Sequence, residues 1–432
     1  MTTHFSRITL AATSLAMSLM VGACQNNPSA STGTSSPASS PASSPVKSVD
    51  ATSGNTVKIV SSLPMTGSSL GLSQSIVNGI KQVLDENQST ACDGKVKIEY
   101  EILDDATAAA GKWEPAQVTS NANKAVADAA VVAFIGHFNS GAAKLSIPIL
   151  NQADLVMVSP ANTYPGLTKP GTGEANEPNI YYPNSKRNFA RVVPADDLQG
   201  TVAANWAKSL GAKKVYILDD QELYGKGIAD IFEATAKKNG LEVLGHEGID
   251  PKAADYKALM TKIKALNPDM IYFGGITQNN GGQLIKDMRN VGMTADKVKF
   301  MGPDGIFEEA LAEAAGKDAE GVYATFGGVP PKELKTGTGK TWYDSYKAKY
   351  KVEPEAYASY GYESAKVVVD AINKVCKNDR AAMRDAVMST KDFKGLLGTW
   401  SFDANGDTTL TTMSGNTLKD GKWEFVTMLK AE

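Results

Sequence analysis

The sequence has only three cysteines and three histidines among 432 residues. Cys24, Cys92 and Cys376 lie far apart, with no CxxC pair and no histidine cluster, so we expect no zinc site. The 44 lysines and arginines are scattered among 47 aspartates and glutamates, which leaves a net charge of −3 and no basic cluster. Without such a cluster the chain has no visible surface for nucleic acid. We therefore expect no metal, no cofactor and no nucleic-acid partner.

Long apolar runs are missing too, apart from one near the N-terminus. Arg7 precedes ITLAATSLAMSLMVGA, which has the length of a signal-peptide core and is too short and too early for a membrane span. The residues VGAC that end at Cys24 resemble a bacterial lipobox, in which cleavage before the cysteine leaves its thiol to carry lipid. We expect residues 1–23 to be a signal peptide and Cys24 to be lipidated; a plain secretory signal with an incidental cysteine is the alternative.

Residues 24–55 consist mostly of serine, proline, alanine and threonine. Such a composition cannot bury enough apolar surface to form a packed core. We expect this segment to be a disordered tether between the membrane and a folded part that begins near residue 56.

The folded part alternates apolar, β-branched runs with amphipathic helical patterns. The first series contains TVKIVSSL, VKIEYEILDD, AVVAFIG and LVMVSP, with helices predicted near 72–87, 115–128 and 142–152. The second contains KKVYILDD, LEVLGHEG, DMIYFGG, VKFMGPDG and EGVYATFGG, with helices near 225–238, 256–265 and 282–291. Strands separated by helices of this size predict parallel sheets, and the length exceeds one ordinary core. The sequence predicts an α/β protein with two doubly wound lobes, and functional residues in the loops after the strands.

Enzyme motifs are weak in this chain. Residues 67–71, GSSLG, match the GxSxG pattern around a nucleophilic serine, Ser69, but such an enzyme needs a histidine base and an acid. After signal removal only His137 and His246 remain, and neither has a triad context. The aspartate pairs at 104–105 and 219–220 end strands before helices, where aspartates cap loops. We expect His137 to be a hydrogen-bonded packing residue and the protein not to be an enzyme.

Six loops in order, FIGHFNSGAA, SPANTYPGLT, DDQELYGKGIA, IYFGG, KFMGPDGIFEE and AEGVYAT, resemble the type I periplasmic solute-binding proteins of ABC importers. Among these, the receptors for Leu/Ile/Val and neutral amino acids are the most similar. The resemblance extends from Thr56 to the segment GTWSFDANGD near the C-terminus. It implies two lobes, joined by three crossings, that close on a free amino acid: residues 56–190 with 330–396, and 191–329 with 397–432.

The resemblance also assigns residues to the ligand's α-carboxylate and α-ammonium groups. Ser140, next to Asn139, corresponds to the serine that binds the carboxylate, and a small hydroxyl beside free amides at a helix N-terminus suits an anion. Ala161 and Thr163 match the loop that supplies backbone groups and a hydroxyl to both ends of the ligand. Asp304 aligns with the acid that pairs with the ammonium, since a buried carboxylate needs a cation.

Other positions imply a broad specificity for the ligand side chain. Tyr224 matches an aromatic residue that closes from the second lobe. Leu72 and Ile276 stand where branched-chain receptors tend to have tyrosines, and Gln278 belongs to a loop with an extra polar residue. Apolar walls with movable amides suggest neutral amino acids in general. The other partners implied are a membrane permease and the membrane itself through the lipid, with a monomeric protein in the periplasm.

The remaining cysteines suggest one disulfide, because an exported protein folds in an oxidising compartment. The family topology puts the helix that ends at Cys376 beside the loop that carries Cys92. The family's own disulfide positions, near Asp105 and Asn139, hold no cysteine here. The Pro-, Gly- and Asn-rich residues 164–188 show no periodicity and are expected to run over the surface as an insertion.

Three alternative functions remain open from the sequence. Receptors for urea or short amides have the same fold, but their ligands lack paired α-carboxylate and α-ammonium groups. A sensory receptor that hands its closed state to a membrane kinase would have the same sequence features. An exported serine hydrolase using Ser69 is the least favoured.

Overall fold

The computed structural model describes residues 55–430. The predicted signal peptide and tether, and the predicted lipidation site Cys24, lie outside this range. Within it, no helix combines the length and the apolar character needed to cross a membrane.

The first sheet has six strands in the order β2-β3-β1-β4-β5-β6, all parallel except β2. The strands are β1 (Asn55–Leu63), β2 (Thr90–Ala91), β3 (Val96–Asp104), β4 (Val131–Gly136), β5 (Val156–Ser159) and β6 (Phe189–Arg191). Parallel strands that are covered on both faces read as continuous apolar runs. This is why every residue of β4, VVAFIG, is buried.

The second sheet has seven strands in the order β15-β14-β11-β10-β9-β7-β8. They are β7 (Lys214–Asp219), β8 (Glu242–Gly248), β9 (Met270–Gly274), β10 (Lys299–Gly302), β11 (Val322–Gly327), β14 (Met413–Lys419) and β15 (Lys422–Leu429). The first five are parallel, and β14 and β15 add an antiparallel edge that the sequence patterns did not predict. A separate hairpin joins β12 (Phe393–Gly395) to β13 (Gly398–Trp400).

Eleven helices cover these sheets within residues 55–430. They are α1 (Leu70–Glu86), α2 (Pro115–Ala127), α3 (Ser140–Gln152), α4 (Asp196–Ser209), α5 (Leu223–Lys238), α6 (Lys257–Ala265), α7 (Gly281–Asn290), α8 (Glu309–Ala315), α9 (Gly337–Tyr350), α10 (Ala358–Val375) and α11 (Arg380–Met388). The helices predicted from periodicity, α1 to α3 and α5 to α7, begin and end within about two residues of the predicted limits.

Both faces of each sheet are covered, which confirms the predicted doubly wound fold. Successive residues of a strand point to opposite faces; on β1, Ile59 joins the core under α1 and α10, whereas Val60 joins the core under α2 and α3. On β7, Ile217 packs with α4 and α5, and Leu218 with α6 and α7. We call the parts around the first and second sheets lobe 1 and lobe 2.

The strand order reverses between β1 and β4 in the first sheet and between β7 and β9 in the second. At such a reversal the following loops turn to opposite faces and leave a crevice at the carboxyl ends of the strands. The loops after β4, β7 and β9 therefore all reach the region between the lobes.

The chain crosses between the lobes three times, after β6, after β11 and between β13 and β14. After the second crossing α10 packs closely on α1, because Gly361 lets its backbone approach Ile76. The β12–β13 hairpin stays with lobe 1, since Glu363 on α10 accepts hydrogen bonds from the Leu397 amide (3.1 Å) and the Trp400 indole (3.3 Å). The predicted lobe boundary between residues 396 and 397 therefore falls inside this hairpin, and the chain rejoins the second sheet only at β14.

Cys92 and Cys376 are joined by a disulfide, with their Cα atoms 5.8 Å apart. This is the pairing that the family topology implies. It ties the turn between β2 and β3 to the C-terminal end of α10.

Residues 164–188 are anchored more firmly than a surface insertion. Tyr164 is buried, and its hydroxyl donates to the buried carboxylate of Glu177 (2.9 Å), which also accepts from Tyr181. The longest exposed stretch of the segment is residues 170–176, and residues 179–180, 183 and 185–186 are exposed as well. Composition alone did not predict this anchoring, because the buried residues, 164–168, 177–178, 181–182 and 188, follow no helical or strand periodicity.

Candidate functional site

A small cavity of about 20 Å³ lies between the carboxyl ends of the two sheets. Six of the predicted ligand-binding residues line it, and three further residues complete its wall. The predicted ones are Asn139, Ser140, Ala161, Tyr224, Ile276 and Asp304, and the others are Phe138, Gly305 and Tyr357.

Ser140 is the first residue of α3 and is buried. The amides of Ala142 and Ala143 donate to the Asn139 carbonyl (3.1 and 3.2 Å). The amides of Ser140 and Gly141 have no carbonyl partner within residues 55–430, as expected in the first turn of a helix. Free amides and the positive end of the helix dipole together make this corner of the cavity suitable for a carboxylate.

The loop after β5 lies next to this helix start. The Ala161 amide donates to Ser159 Oγ (3.2 Å), so Ala161 can offer a ligand only its carbonyl oxygen. Thr163 is fully buried, and its hydroxyl has no hydrogen-bond partner among the described residues, although it does not line the cavity. Its carbonyl accepts the backbone amide of Asp196 (2.9 Å).

Asp196, the first residue of α4, was not among the predicted site residues. It is fully buried, and neither carboxylate oxygen has a hydrogen-bond partner in the described part of the chain. Burial, reinforced by the nearby charge of Asp304, raises the pKa of Asp196 well above its ordinary value, although nearby Thr163 and Arg191 oppose the rise. A carboxylate placed in this way is complementary to a cation that arrives with a ligand.

Asp304 lies at the start of a short 3-10 helix after β10 and is buried. The Tyr224 hydroxyl donates to Asp304 Oδ1 (2.6 Å) and the Tyr357 hydroxyl donates to Oδ2. Burial raises the pKa of Asp304, while the Tyr224 hydrogen bond opposes the rise. No lysine, arginine or histidine pairs with Asp304 in residues 55–430. The tyrosines therefore orient the carboxylate but leave its charge uncompensated.

The loop after β9 has a different role from the one predicted. Ile276 lines the cavity, but Gln278 does not, because its amide donates to Glu308 Oε1 (2.8 Å). Asp220 accepts the Ile276 amide (3.3 Å) and the Asn279 side chain (2.8 Å). The polar residues of this loop thus hold the loop itself, and Gln278, a predicted ligand-binding residue, lies outside the cavity in this structure.

Leu72 also lies outside the cavity. It is buried on α1 in the hydrophobic core of lobe 1. Leu72 is the third residue of α1 and faces the core on the same side of the helix as Ile76.

His137 forms a buried chain with Asp105 and Ser146. Its Nδ1 is 2.6 Å from Asp105 Oδ2 and its Nε2 is 2.7 Å from Ser146 Oγ. The three side chains have the spacing of a hydrolase triad, but none of them is exposed to the cavity or to solvent. They hold the loop that presents Ser140, and Ser69, at the N-terminus of α1, is hydrogen-bonded to neither histidine.

Residues 56–422 match the sequence family described as periplasmic binding protein. A Leu/Ile/Val-binding protein homologue of Brucella abortus is 30% identical over 367 residues, which is 84% of this chain and 91% of the relative.

Two solved structures are similar over most of the chain. The leucine-binding protein LivK of Thermotoga maritima has a TM-score of 0.75 and 26% identity, covering 87% of this chain and 99% of its own. The branched-chain amino-acid transporter substrate-binding protein LivJ of Streptococcus pneumoniae, solved with isoleucine, has a TM-score of 0.73 and 28% identity, covering 86% and 99%. These similarities confirm the resemblance that the loop sequences indicate.

Proposed function

The chain belongs to the periplasmic binding protein family, and from this premise we propose that it captures neutral amino acids, branched-chain ones among them, for an ABC importer. Members of the family bind solutes and do not transform them, in line with the prediction that the chain is not an enzyme. The proposed partner is a membrane permease that accepts the closed, loaded protein outside the cytoplasm.

The main support for the proposal is one small cavity that brings together a carboxylate without a cationic partner and backbone amides without an acceptor. Asp304 and the nearby Asp196 are buried carboxylates without a cationic partner within residues 55–430, and free amides at the start of α3 line the same cavity as Asp304. Buried charges are costly unless they are paired. A zwitterion places an ammonium beside the acids and a carboxylate beside the amides, and so satisfies both.

The size of the cavity implies that the lobes move. A volume of about 20 Å³ holds one water molecule but no amino acid. A ligand therefore enters when the lobes separate, and the lobes then close over it. In the closed protein, Asp304 in lobe 2 would contact the ligand ammonium and Ser140 in lobe 1 would contact the ligand carboxylate.

The wall around the ligand side chain is apolar. Phe138, Ile276 and Tyr357 line it, and no charged residue other than Asp304 does so. This wall favours uncharged side chains. The names of the relatives support the same class, since one is a Leu/Ile/Val-binding homologue and one was solved with isoleucine.

The test is calorimetry of ligand-stripped protein and of Asp304→Asn with leucine, alanine, glutamine and N-acetyl-leucine. The wild type is expected to bind the free amino acids and to reject N-acetyl-leucine, which has no ammonium group. Asp304→Asn is expected to weaken the binding of leucine, alanine and glutamine by about 2–5 kcal/mol each, as for removal of one partner of a buried charge pair.

Asp93→Asn is the matched control, because it removes one carboxylate from an exposed turn far from the cavity and should leave binding unchanged. Undiminished binding by Asp304→Asn would contradict the assignment of Asp304. A wild type that binds urea but no amino acid would contradict the function.

The lipid anchor at Cys24 is part of the same proposal and has its own test. Cys24→Ser is expected to move the protein from the membrane fraction to the soluble exported fraction, because a serine cannot carry the thioether-linked lipid. Retention of the variant in membranes, together with a mature N-terminus that carries no lipid in mass spectrometry, would contradict it.

A further inference from the structure

A second and much larger cavity, of about 440 Å³, lies between the lobes beside the second crossing. We call it the interlobe cavity. It is lined from lobe 2 by residues 307–309, 422 and 423, from lobe 1 by residues 343 and 353–356, and from the crossing by residues 330–332. It shares no lining residue with the small cavity that contains Asp304.

Two carboxylates that line the interlobe cavity, one from each lobe, form no ion pair in the described range. Glu308, in lobe 2, is only 6% exposed, and the groups that stabilise its charge, the Gln278 amide and the Thr277 hydroxyl, are both neutral. Glu355, in lobe 1, is half-buried. Burial raises the pKa of both to about 7, and proximity to Glu355 adds to the rise at Glu308. The side chains are thus held where their negative charges are unfavourable without a cation.

The other charged groups around the cavity do not compensate these two acids. Glu309 and Glu353 add negative charge, and Glu353 already pairs with Lys347 outside the cavity. Lys332 lowers the pKa of Glu355 somewhat, but its ammonium group donates to the Trp423 carbonyl. Lys422 is exposed. The lining therefore has four carboxylates against two ammonium groups.

The rest of the wall is aromatic and apolar. Phe307 and Trp423 pack edge to face with ring centroids 5.0 Å apart, and the Trp423 indole donates to the Glu308 carbonyl (2.9 Å), which fixes the ring beside the acid. Tyr343 and three prolines, Pro330, Pro331 and Pro354, complete the surface. Aromatic faces beside carboxylates suit an organic cation. A hydrated divalent metal ion would instead need a shell of oxygen ligands.

We propose that the interlobe cavity is a second binding site, which takes a small organic ammonium ion between Glu308 of lobe 2 and Glu355 of lobe 1. Because the two acids belong to different lobes, the bound cation stabilises the closed arrangement of the protein. A ligand that favours one arrangement raises the affinity of any other ligand that favours it too. The coupling to amino-acid binding rests on the proposed function, whereas the ammonium site does not.

The test is calorimetry of the purified protein with choline and with n-butylammonium. Its control ligand is 3,3-dimethylbutan-1-ol, which has the shape of choline without the charge. The wild type is expected to bind both cations saturably in the millimolar range or below and to ignore the alcohol. Glu308→Gln and Glu355→Gln are each expected to weaken cation binding by about tenfold or more, since each removes one charge-assisted contact.

Two further variants separate this site from the small cavity. Glu424→Gln removes an exposed carboxylate next to Trp423 and is expected to leave cation binding unchanged. Asp304→Asn is expected to keep cation binding while it weakens amino-acid binding, so the two proposals fail independently.

Three results would overturn the ammonium site. They are no saturable binding of either cation, equal binding by the wild type and by both glutamine variants, and loss of cation binding in Asp304→Asn alone. Because Glu355 is only half-buried, its glutamine variant folds even where Glu308→Gln does not, and it then decides the matter alone.

Discussion

At the scale of single residues, a buried charge in this protein has one of two forms. Some acids have a cationic partner within the protein. His246 donates through Nε2 to Asp219 (3.1 Å) and through Nδ1 to Glu233 (2.7 Å). Others, such as Asp304, have hydroxyl donors but no cation among the described residues. The first form stabilises the fold, and we propose that the second binds the cationic group of a ligand. Asp219 and Asp304 both lie at or just after the end of a strand, so the sequence alone does not distinguish the two forms.

The His246 cluster predicts a pH-dependent stability. The hydrogen bond to Asp219 and then that to Glu233 raise the pKa of His246 above 6.5, against the opposing effect of burial. Because the folded state binds this proton more tightly, the stabilisation is complete below the unfolded pKa and is lost as the pH rises through the folded one. His246→Gln should therefore lower the melting temperature more at about pH 5.5 than at about pH 9.

Thermal unfolding of the two proteins over this pH range measures the effect. Proton NMR of the imidazole reports the folded pKa directly. A difference in melting temperature that is the same at both ends of the range would contradict the assigned role of the cluster.

At the scale of elements, one buried ion pair joins three separate segments. Arg191 at the end of β6 donates to Asp407 (2.6 Å), which lies in the third crossing, and to the carbonyls of Asn162 and Tyr164. Thr168 from the inserted segment also donates to Asp407 (2.9 Å). Although burial acts to raise it, Arg191 and its neighbours hold the pKa of Asp407 below its ordinary value. The pair therefore holds the inserted segment against the end of β6, where the first crossing begins, and against the third crossing.

Breaking this pair is expected to be far more harmful than breaking a surface pair of the same segment. Asp407→Asn leaves the fully buried Arg191 without its counter-charge and should cost about 3–5 kcal/mol. Asp197→Asn removes the partner of Lys169. The Asp197 side chain is 40% exposed and the Lys169 side chain is 26% exposed, so this change should cost about 0–1 kcal/mol. Denaturant unfolding measures both, and similar losses would refute the proposed difference.

At the scale of the whole molecule, hydrogen bonds between the lobes favour closure. Tyr357 precedes α10 in lobe 1 and donates to Asp304 in lobe 2. The same carboxylate is the proposed partner of the ligand ammonium. If Asp304 binds the ligand as proposed, this one side chain links ligand binding to lobe closure.

Tyr357→Phe is expected to weaken leucine binding by about 10- to 100-fold, because a hydrogen bond to a charged group contributes about 1.5–3 kcal/mol. The leucine-loaded variant should also be more open, with a larger radius of gyration in small-angle X-ray scattering than the loaded wild type. Tyr323→Phe is the control, since Tyr323 packs against Trp206 in lobe 2, away from the cavity. Wild-type affinity and radius in Tyr357→Phe would contradict the link.

The sequence by itself determined the alternation of strands and helices, the doubly wound class and the loop that presents Ser140. These features depend on local patterns: a strand buried on both faces reads as an apolar run, and the helix after it starts at small polar residues. The loops after the strands also carried the family resemblance. The disulfide partners followed once that resemblance supplied the topology.

Only the tertiary structure decided which polar residues meet. Asp196 reads as an ordinary acidic residue in the first turn of a helix, and its lack of a partner becomes visible only when β6 brings α4 toward Asp304. The sequence predicts that the Gln278 amide binds the ligand, whereas in the structure this amide donates to Glu308 from another loop. Periodicity records burial and local conformation, whereas the partner of a side chain depends on contacts between segments far apart in sequence.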